Sequence, residues 1–364
     1  MKKQLVLAYS GGLDTSFCTN YLSKEEGYEV HTVLVDTGGF SGQALKALEK
    51  KAYKFGAAKH HVINAAADYY NHCIRFLIYG NVLRNRNYPV PVSSERTFQA
   101  LKVINFAMEK GIKTVAHGSS GAGNDQVRFE TIFQVIAPEI EVLSPIRDMA
   151  ISREEVIDYL RRAGFNVSFE KSKYSMNQGL WGITVSSKET LTSQTELPDE
   201  AFPHYETRDG SEQMTLDFDS GEVKRLNGKG YKDPVSLIRA VEKIASPFSI
   251  GRDIHVGETV IGIKGRIGFQ APAAHVIINA HYALEKHVLS KWQQHWKEQL
   301  GNWYGMFIHE GLFLDPSMRD IESFLLSSQR NVNGRVHIKL RPFSMQVTGV
   351  ETPNDLMNPT FGRY

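Results

Sequence analysis

The chain has 364 residues, which corresponds to roughly two domains at about 150 residues each. Hydrophobic residues make up 41% and charged residues 23%, so the chain can bury enough apolar surface to offset its conformational entropy. This composition excludes a disordered or collagen-like protein. The 42 basic and 40 acidic residues leave a net charge of only +2, and we therefore expect no nucleic-acid partner.

The cysteine count and the hydropathy pattern favour a cytoplasmic protein. Cys18 and Cys73 are too few for a disulfide framework or for a zinc site built mainly on thiolates. No apolar run reaches about 18 residues, so we expect no membrane span. The apolar stretch near the N-terminus ends at Tyr9 and is too short for the core of a signal peptide.

Strand and helix patterns alternate along residues 1–165, which we interpret as the first domain. Short apolar runs predict strands at Leu5–Tyr9, Val30–Val35, His60–Ile63, Thr114–Ala116 and Ile140–Leu143. Helical spacing predicts helices at Ser16–Glu25, Gln43–Phe55, Ala65–Ile78 and Glu95–Lys110, and one that begins at Ser152 with a Ser-x-x-Glu capping box. This alternation predicts an α/β fold with a parallel, doubly wound sheet, whose ligands bind beyond the carboxyl ends of the strands.

The pattern changes after Gly164 to a mixed α+β arrangement, which we assign to a second domain at residues 166–364. Alternating residues predict strands at Met214–Phe218 and Thr259–Ile263. Asp-Pro pairs predict helix starts at Asp233 and at Asp315, and helical spacing predicts one long helix over Pro272–Trp296. The Asn333-Gly334 pair and the alternation from Val336 to Leu340 predict a closing hairpin.

The first loop that can carry chemistry follows the first predicted strand and contains the string Ala8-Tyr9-Ser10-Gly11-Gly12-Leu13-Asp14-Thr15-Ser16. Its glycines allow backbone N–H groups to converge on phosphate oxygens, and the next helix presents its positive N-terminal end there. The hydroxyl side chains add donors, and Asp14 is explained if Mg²⁺ accompanies the phosphates. The string is neither a Walker A loop nor a G-x-G-x-x-G fingerprint. An ordinary capped glycine turn is the alternative interpretation.

The second loop follows the fourth predicted strand and runs from Ala116 to Glu130. Its glycines allow close approach of a ligand, and its polar side chains offer donors for a carboxylate and an acceptor for an ammonium group. Asn124 and Arg128 are four residues apart and share a face if this segment is helical. The pattern is typical of a site for a zwitterionic amino acid, and a polar loop with a capped helix is the alternative.

The first string resembles the pyrophosphate loop of the N-type ATP pyrophosphatases, and the two strings together resemble the argininosuccinate synthase family. The Gly-Asn-Asp-Gln-Val-Arg-Phe-Glu string distinguishes this family from the rest of the superfamily. Further similarity extends through nearly the whole chain, at Ser144–Arg147, Tyr174–Met176, Leu180–Gly182, Gly251-Arg252 and Ser328–Arg330. The resemblance implies an enzyme that condenses citrulline with aspartate and converts ATP to AMP and pyrophosphate.

The resemblance also implies roles for individual residues. The ATP contacts it implies are Ala8, Tyr9, Ser10, Gly11, Gly12, Leu13, Asp14, Thr15, Ser16, Val35 and Gly118. The aspartate contacts are Ser120, Asn124 and Asp125, and the citrulline contacts are Tyr88, Ser93, Asn124, Arg128, Ser175 and Thr184. Arg96 keeps a Ser-x-x-Arg spacing with Ser93, and we expect it to contact a carboxylate.

The implied reaction has two steps and needs little covalent work from the protein. The ureido oxygen of citrulline attacks the α-phosphorus of ATP, and the amine of aspartate then displaces AMP from the activated carbon. We assign Asp14, Asp125 and Arg128 to catalysis, with ATP and Mg²⁺ as cofactors. No cluster of protein side chains forms a metal site by spacing, so Mg²⁺ is expected to come with ATP, with Asp14 as a candidate ligand.

Four departures from the family pattern bear on the substrate. Ala122 replaces a lysine, the loop before Ser93 is rich in proline, and Phe269 removes a hydroxyl that would contact citrulline. Gly257 stands at a glutamate position that binds the α-ammonium group, and Glu258 could substitute for it only through a register shift. These changes leave open two substrates, citrulline itself and a citrulline whose α-amine is acylated.

Two other functions and the assembly state remain open at this stage. One alternative is another enzyme that adenylates an oxygen, but the cysteines or basic RNA-binding domain that it needs are not visible. The other is a non-catalytic adenine-nucleotide sensor, which the loss of lysine at Ala122 favours slightly. We expect a homo-oligomer, a dimer or tetramer, although the family's C-terminal arm is apparently shortened in this chain.

Overall fold

The computed structural model describes residues 2–121, 123–167, 174–203 and 206–357. Ala122 and the C-terminal residues 358–364 lie outside the described residues. Two parts of the chain are distinguished by their sheets, the first parallel and the second antiparallel. The α/β fold class predicted from the sequence is confirmed.

The first sheet contains five parallel strands in the order β3-β2-β1-β4-β5. These strands are β1 (Gln4–Ala8), β2 (Glu29–Asp36), β3 (Lys59–Asn64), β4 (Thr114–Ala116) and β5 (Glu141–Leu143). The helices between and after them are α1 (Leu13–Lys24), α2 (Gly42–Lys54), α3 (Ala66–Tyr69), α4 (Arg75–Tyr79), α5 (Pro91–Glu109), α6 (Asp125–Ile136), α7 (Pro145–Asp148) and α8 (Arg153–Arg162). All five strands predicted for this half are present.

The central strand is covered by apolar side chains on both faces. Leu5 and Leu7 of β1 belong to a cluster with residues of α1 and α8, whereas Val6 and Ala8 point to the opposite face, toward α5 and α6. Successive side chains of a strand alternate between faces, so a strand buried on both sides needs a continuous apolar run. This is why the run near the N-terminus predicts a strand of a doubly wound sheet.

The second half builds two antiparallel sheets. The first has the order β10-β9-β8-β13-β14 and the second the order β11-β12-β7-β6. The strands are β6 (Ser175–Gly179), β7 (Gly182–Ser186), β8 (Glu212–Asp219), β9 (Glu222–Leu226), β10 (Lys229–Gly230), β11 (Arg252–Glu258), β12 (Lys264–Gln270), β13 (Gly334–Arg341) and β14 (Ser344–Glu351). The helices are α9 (Pro234–Ala245), α10 (Pro272–Val288), α11 (Lys291–Glu310) and α12 (Pro316–Ser328).

Two predicted elements of the second half are wrong. The segment Thr259–Ile263 is the turn between β11 and β12 rather than a strand, and Gly262 adopts a φ of 86° within it. The helix predicted over Pro272–Trp296 is divided, because Leu289 is extended and Ser290 caps α11 through a capping box with Gln293. Both errors arise where apolar residues continue through a break in the backbone pattern.

Other predicted boundaries differ less. α5 begins at Pro91, four residues before the predicted start, because proline fits the first position of a helix. The closing hairpin is present as β13 and β14, but Asn333-Gly334 lies at the start of β13, and the turn of the hairpin follows Arg341. The capping box at Ser152 and the helix start at Asp233 are confirmed.

Candidate active site

The two loops identified in the sequence meet at the carboxyl edge of the first sheet. β1 lies between β2 and β4, so the strand order reverses at the junction of β1 and β4. A Cβ atom added to Gly118 would lie 3.3 Å from backbone atoms of both Asp14 and Thr15. The loop after β4 therefore packs against the loop after β1, and a side chain at position 118 would crowd this contact.

The loop after β1 leaves the first turn of α1 open to a ligand. Gly12 precedes α1 in an extended conformation, and no side chain caps the helix there. The hydroxyl oxygens of Ser10 and Thr15 lie 3.3 Å apart beside this turn. Gly11 has a φ of 74°, which favours glycine, and a Cβ atom there would collide with Leu48. Free N–H groups and hydroxyl donors thus converge in the way that phosphate binding requires.

The remaining residues assigned to ATP flank this loop. Ala8 and Tyr9 end the buried strand β1, and the Tyr9 ring packs edge-on against His60 at 5.6 Å between centroids. Val35 is buried near the end of β2. Ser16 donates a hydrogen bond of 2.6 Å from its hydroxyl to the carbonyl of Gly12, and Leu13 is the first residue of α1.

Asp14 and Lys51 are the charged side chains bordering the open turn. Burial raises the pKa of the Asp14 carboxyl above its usual value, and the positive charge of Arg153 opposes this shift. Lys51 of α2 donates a hydrogen bond from its ammonium group to the carbonyl of Gly11, and burial lowers the pKa of Lys51. The loop after β1 and the first turn of α1 therefore carry one carboxylate and are contacted by one ammonium group.

Asp125 is clamped between two arginines at the start of α6. Its two carboxylate oxygens accept hydrogen bonds of 2.8 Å from Arg96 Nε and from Arg128 Nη1. Burial of the carboxyl is outweighed by these two positive charges, which together lower the pKa of Asp125 to about 2. Arg96 also donates to Gln99 and Asn177, so its guanidinium joins α5, α6 and β6.

The second loop is held by contacts with distant segments. Asn124 accepts a hydrogen bond of 2.9 Å from the backbone N–H of Val260, which lies in the turn between β11 and β12. Ser144 donates from its hydroxyl to the carbonyl of Ser119 at 3.2 Å. Ser120 is exposed on the loop. The turn that was predicted as a strand therefore reaches the polar residues of the second loop.

Two of the residues assigned to citrulline, Ser175 and Thr184, lie on one face of the sheet β11-β12-β7-β6, and a third, Tyr88, packs against this face. Thr184 pairs with Phe269 on one neighbouring strand and with Asn177 on the other, and Ser175 lies two residues from Asn177 on the same face. The ring of Tyr88 packs edge-on against Phe269 at 5.2 Å, and burial raises the pKa of Tyr88 to about 12. Ser93 is buried in the first turn of α5, three residues before Arg96.

The structure does not bring Glu258 into this group. β11 pairs with β12 in regular register, with Gly257 opposite Gly265 and Glu258 opposite Lys264. Side chains alternate along a strand, so Glu258 points to the face opposite that of Gly257. Its carboxylate is exposed and forms an ion pair with Lys264. The register shift that would make Glu258 a citrulline ligand is absent, and we remove it from the citrulline set.

Two family models together match nearly the whole chain. The Arginosuccinate synthase N-terminal HUP domain matches residues 4–166, and the Arginosuccinate synthase C-terminal domain matches residues 174–364. This chain belongs to the argininosuccinate synthase family. Members of the family are ATP-dependent ligases of arginine biosynthesis, and the chain is such an enzyme.

Curated relatives named argininosuccinate synthase align over almost the full chain. The relative from Methanocaldococcus jannaschii is 35% identical over 356 residues, covering 97% of this chain and 89% of the relative. The relative from Methanococcus maripaludis is 36% identical, covering 98% and 90%, respectively. That from Dictyoglomus thermophilum is 35% identical and covers 100% and 91%.

Several residues near the site of this synthase escaped the sequence interpretation. Lys51 is one of four lysines on α2, and its side chain is half-buried whereas those of Lys46, Lys50 and Lys54 are exposed. Asn177 and His255 lie on the face that carries Thr184, and nothing in their local sequence marks them. The stretches Tyr174–Met176 and Leu180–Gly182 on either side of Asn177 resemble the family, but the contact between Asn177 and Arg96 depends on the tertiary fold.

The residues of the site fit Mg²⁺ bound through nucleotide phosphates. The described part of the chain contains no group of three or more histidine, cysteine, aspartate or glutamate side chains that could hold a metal ion. Mg²⁺ commonly takes one or two carboxylates together with substrate phosphates and water, and Asp14 supplies one carboxylate at the open turn. Among the described residues, no helix has the length and apolar content needed to cross a membrane.

Proposed function

We propose that this synthase condenses citrulline, or an N-acylated citrulline, with L-aspartate to form argininosuccinate or its N-acyl derivative. ATP is converted to AMP and pyrophosphate through a citrullyl-adenylate. The observation that carries the proposal is the contact between the loops after β1 and β4 at Gly118. The loop after β4 leads directly into α6, where Asp125 accepts hydrogen bonds from Arg96 and Arg128. A phosphate site and an amino-acid site are thereby neighbours, as transfer of AMP to an amino acid requires.

The residues around the first loop bind ATP in this proposal. The N–H groups of α1 and the hydroxyls of Ser10 and Thr15 hold the phosphates, while Lys51 fixes the loop through Gly11. Asp14 would hold Mg²⁺ together with the phosphates, and the ion would supply positive charge for the departing pyrophosphate. Ala8, Tyr9, Val35 and Gly118 border the remainder of the nucleotide.

The residues around the second loop orient the two amino acids. Ser120, Asn124 and Asp125 contact aspartate, and Asp125 orients its ammonium group. Tyr88, Ser93, Arg96, Arg128, Ser175 and Thr184 surround citrulline, with Asn124 between the two substrates. The ureido oxygen attacks the α-phosphorus as pyrophosphate leaves, and the aspartate amine then displaces AMP. Holding the reactants in line can supply up to about 7–11 kcal/mol of the barrier reduction.

The domain limits, assembly and location remain proposals. We place the nucleotide-binding domain at residues 1–165 and the synthetase domain at residues 166–364. A homo-oligomer, dimer or tetramer, is supported by three exposed tryptophans along α11, namely Trp292, Trp296 and Trp303. A cytoplasmic location is supported by the two buried free cysteines.

Substrate-dependent release of pyrophosphate tests the proposed function. We expect release with ATP, Mg²⁺, aspartate and either citrulline or an N-acylated citrulline, with AMP formed in equal amount. Omission of aspartate should leave at most one turnover of pyrophosphate, because the adenylate then has no nucleophile. Sustained release without any citrulline compound, or none with all of them, would contradict the proposal and favour a different acceptor or a nucleotide sensor.

A further inference from the structure

At the end of the citrulline pocket beside Tyr88, Gly257 offers no side chain to an ammonium group. Asp253 lies opposite Phe269 on the same face, and its carboxylate already accepts hydrogen bonds from Asn87 and from the backbone N–H of Ile254. His255 and Gly257 of β11 lie on the same face of the sheet as Phe269 of β12, which is buried. A Cβ atom added to Gly257 would lie 2.6 Å from Nε2 of His255, so the imidazole fills the space that a side chain at 257 would occupy. A glutamate at this family position would compete with His255 for the same volume.

The imidazole at this end is an uncharged partner near neutral pH. The His255 ring stacks on Tyr88 with 4.2 Å between centroids, and burial together with the charge of Arg84 lowers the pKa of His255 to about 4. Phe269 offers no polar atom. A free α-ammonium group placed here would lose charge-assisted hydrogen bonds, whereas an amide nitrogen carries no charge to compensate.

Arg84 places a positive charge at the same end. Its backbone N–H donates to the carbonyl of Tyr88 at 2.7 Å, and Asn85 donates to the carbonyl of Val256 at 2.9 Å, which hold this segment against β11. Nη1 of Arg84 is buried and has no hydrogen-bond partner in the described part of the chain. A buried guanidinium N–H without an acceptor is costly, and a carboxylate would satisfy it in bidentate geometry.

The other charged groups around Arg84 do not accept a hydrogen bond from its Nη1. Glu258 and Glu310 raise the pKa of Arg84 through their charges, although burial lowers it more. Among the described residues, neither carboxylate lies within ion-pair distance of Arg84, and Glu258 is paired with Lys264. Arg128 and His309 add no free anion, because Arg128 is bonded to Asp125 and to the carbonyl of His309.

We propose that the preferred substrate is a citrulline whose α-amine is acylated by a group that ends in a carboxylate, with Arg84 as the residue that selects it. The acyl amide lies beside His255 and Phe269, and its terminal carboxylate accepts hydrogen bonds from Arg84. This inference rests on the proposed function and names the substrate of the same site. The reaction that precedes this one must therefore deliver an N-acylated ureido amino acid.

Three substrates compared in one assay test the inference. We expect kcat/KM for pyrophosphate release to be at least about tenfold higher with N-succinylcitrulline than with N-acetylcitrulline, and higher with both than with citrulline. Citrulline as the best substrate would overturn the inference and leave the proposed function standing. The inference also fails if N-acetylcitrulline equals or exceeds the succinyl compound. Absence of release with all three compounds would contradict the proposed function together with the inference.

Variants at Arg84 show which carboxylate it binds. In Arg84→Gln we expect kcat/KM for N-succinylcitrulline to fall about tenfold, to the value for N-acetylcitrulline, which should change less than twofold. Arg84→Lys should retain the succinyl preference, and Arg86→Gln on the same loop, whose side chain is exposed, should change none of the three values. An equal loss on all three substrates in Arg84→Gln would place Arg84 on the α-carboxylate and overturn the inference.

Discussion

In Asp14→Asn we expect pyrophosphate release to fall at least about 100-fold while the protein stays folded. Asp14 lies in the first turn of α1, and burial raises the pKa of its carboxyl. A raised pKa in the folded state means that the ionised carboxylate opposes folding, so a neutral isostere should leave stability unchanged or slightly higher. We propose that the charge instead serves a ligand, namely Mg²⁺ bound to the ATP phosphates.

The measurement for this variant is pyrophosphate release at saturating substrate, accompanied by thermal melting. Glu154→Gln is the matched control, because Glu154 is an exposed acidic residue at the same position in the first turn of α8 that Asp14 has in α1. The control reports the effect of removing a carboxylate from the first turn of a helix, where its interaction with the helix dipole is worth about 0.3–1 kcal/mol. A larger loss of activity in Asp14→Asn is then due to the role of Asp14 in the reaction. Full activity in Asp14→Asn would remove Asp14 from the phosphate site.

In Asp125→Asn we expect losses of both activity and stability. The substitution removes the carboxylate that aligns Arg96 and Arg128, and it leaves two guanidinium groups facing each other. Misplacing positioning groups by about 1 Å can cost about 100-fold in rate. Loss of hydrogen bonds to a charged group should lower the free energy of unfolding by about 1.5–3 kcal/mol.

The pH dependence of this loss has a defined sign. The folded pKa of Asp125 is about 2, below the usual value near 4, so its contribution to stability is present at neutral pH and is lost as pH falls from about 4 toward 2. Asp217→Asn is the control, because Asp217 also binds an arginine, Arg335, but lies in the second half of the chain. Equal activity losses in the two variants would show that Asp125 has no special role in the site.

The first sheet could be predicted from the sequence because its central strands β1, β2 and β4 are buried on both faces and form short apolar runs. The turn at Thr259–Ile263 could not, since its β-branched residues imitate a strand. Ile261 and Ile263 are in fact exposed, and Thr259 closes the turn by accepting the Ile263 N–H at its hydroxyl. Residue type alone does not distinguish an apolar turn from an apolar strand.

The same limit applies to the site. The uncapped turn before α1, which we propose binds phosphate, could be predicted because its donors lie on neighbouring residues of one loop. The contacts of Arg96 with Asp125, of Lys51 with Gly11 and of Asn124 with Val260 span 29, 40 and 136 residues, respectively. Such partners are brought together by the order of the strands, and the spacing of residues along the chain does not predict these contacts. The exposed position of Glu258 likewise depends on the register of one strand pair.

Transfer of an isotopic label tests the central claim most directly, namely that this site adenylates a ureido oxygen. Citrulline, or the N-acylated citrulline that the enzyme prefers, would carry ¹⁸O in its ureido group and react with ATP and aspartate. We predict one ¹⁸O atom in the phosphate of AMP, because that oxygen bonds to the α-phosphorus as pyrophosphate leaves and then departs with AMP. AMP without the label, or ADP and phosphate as products, would contradict the account.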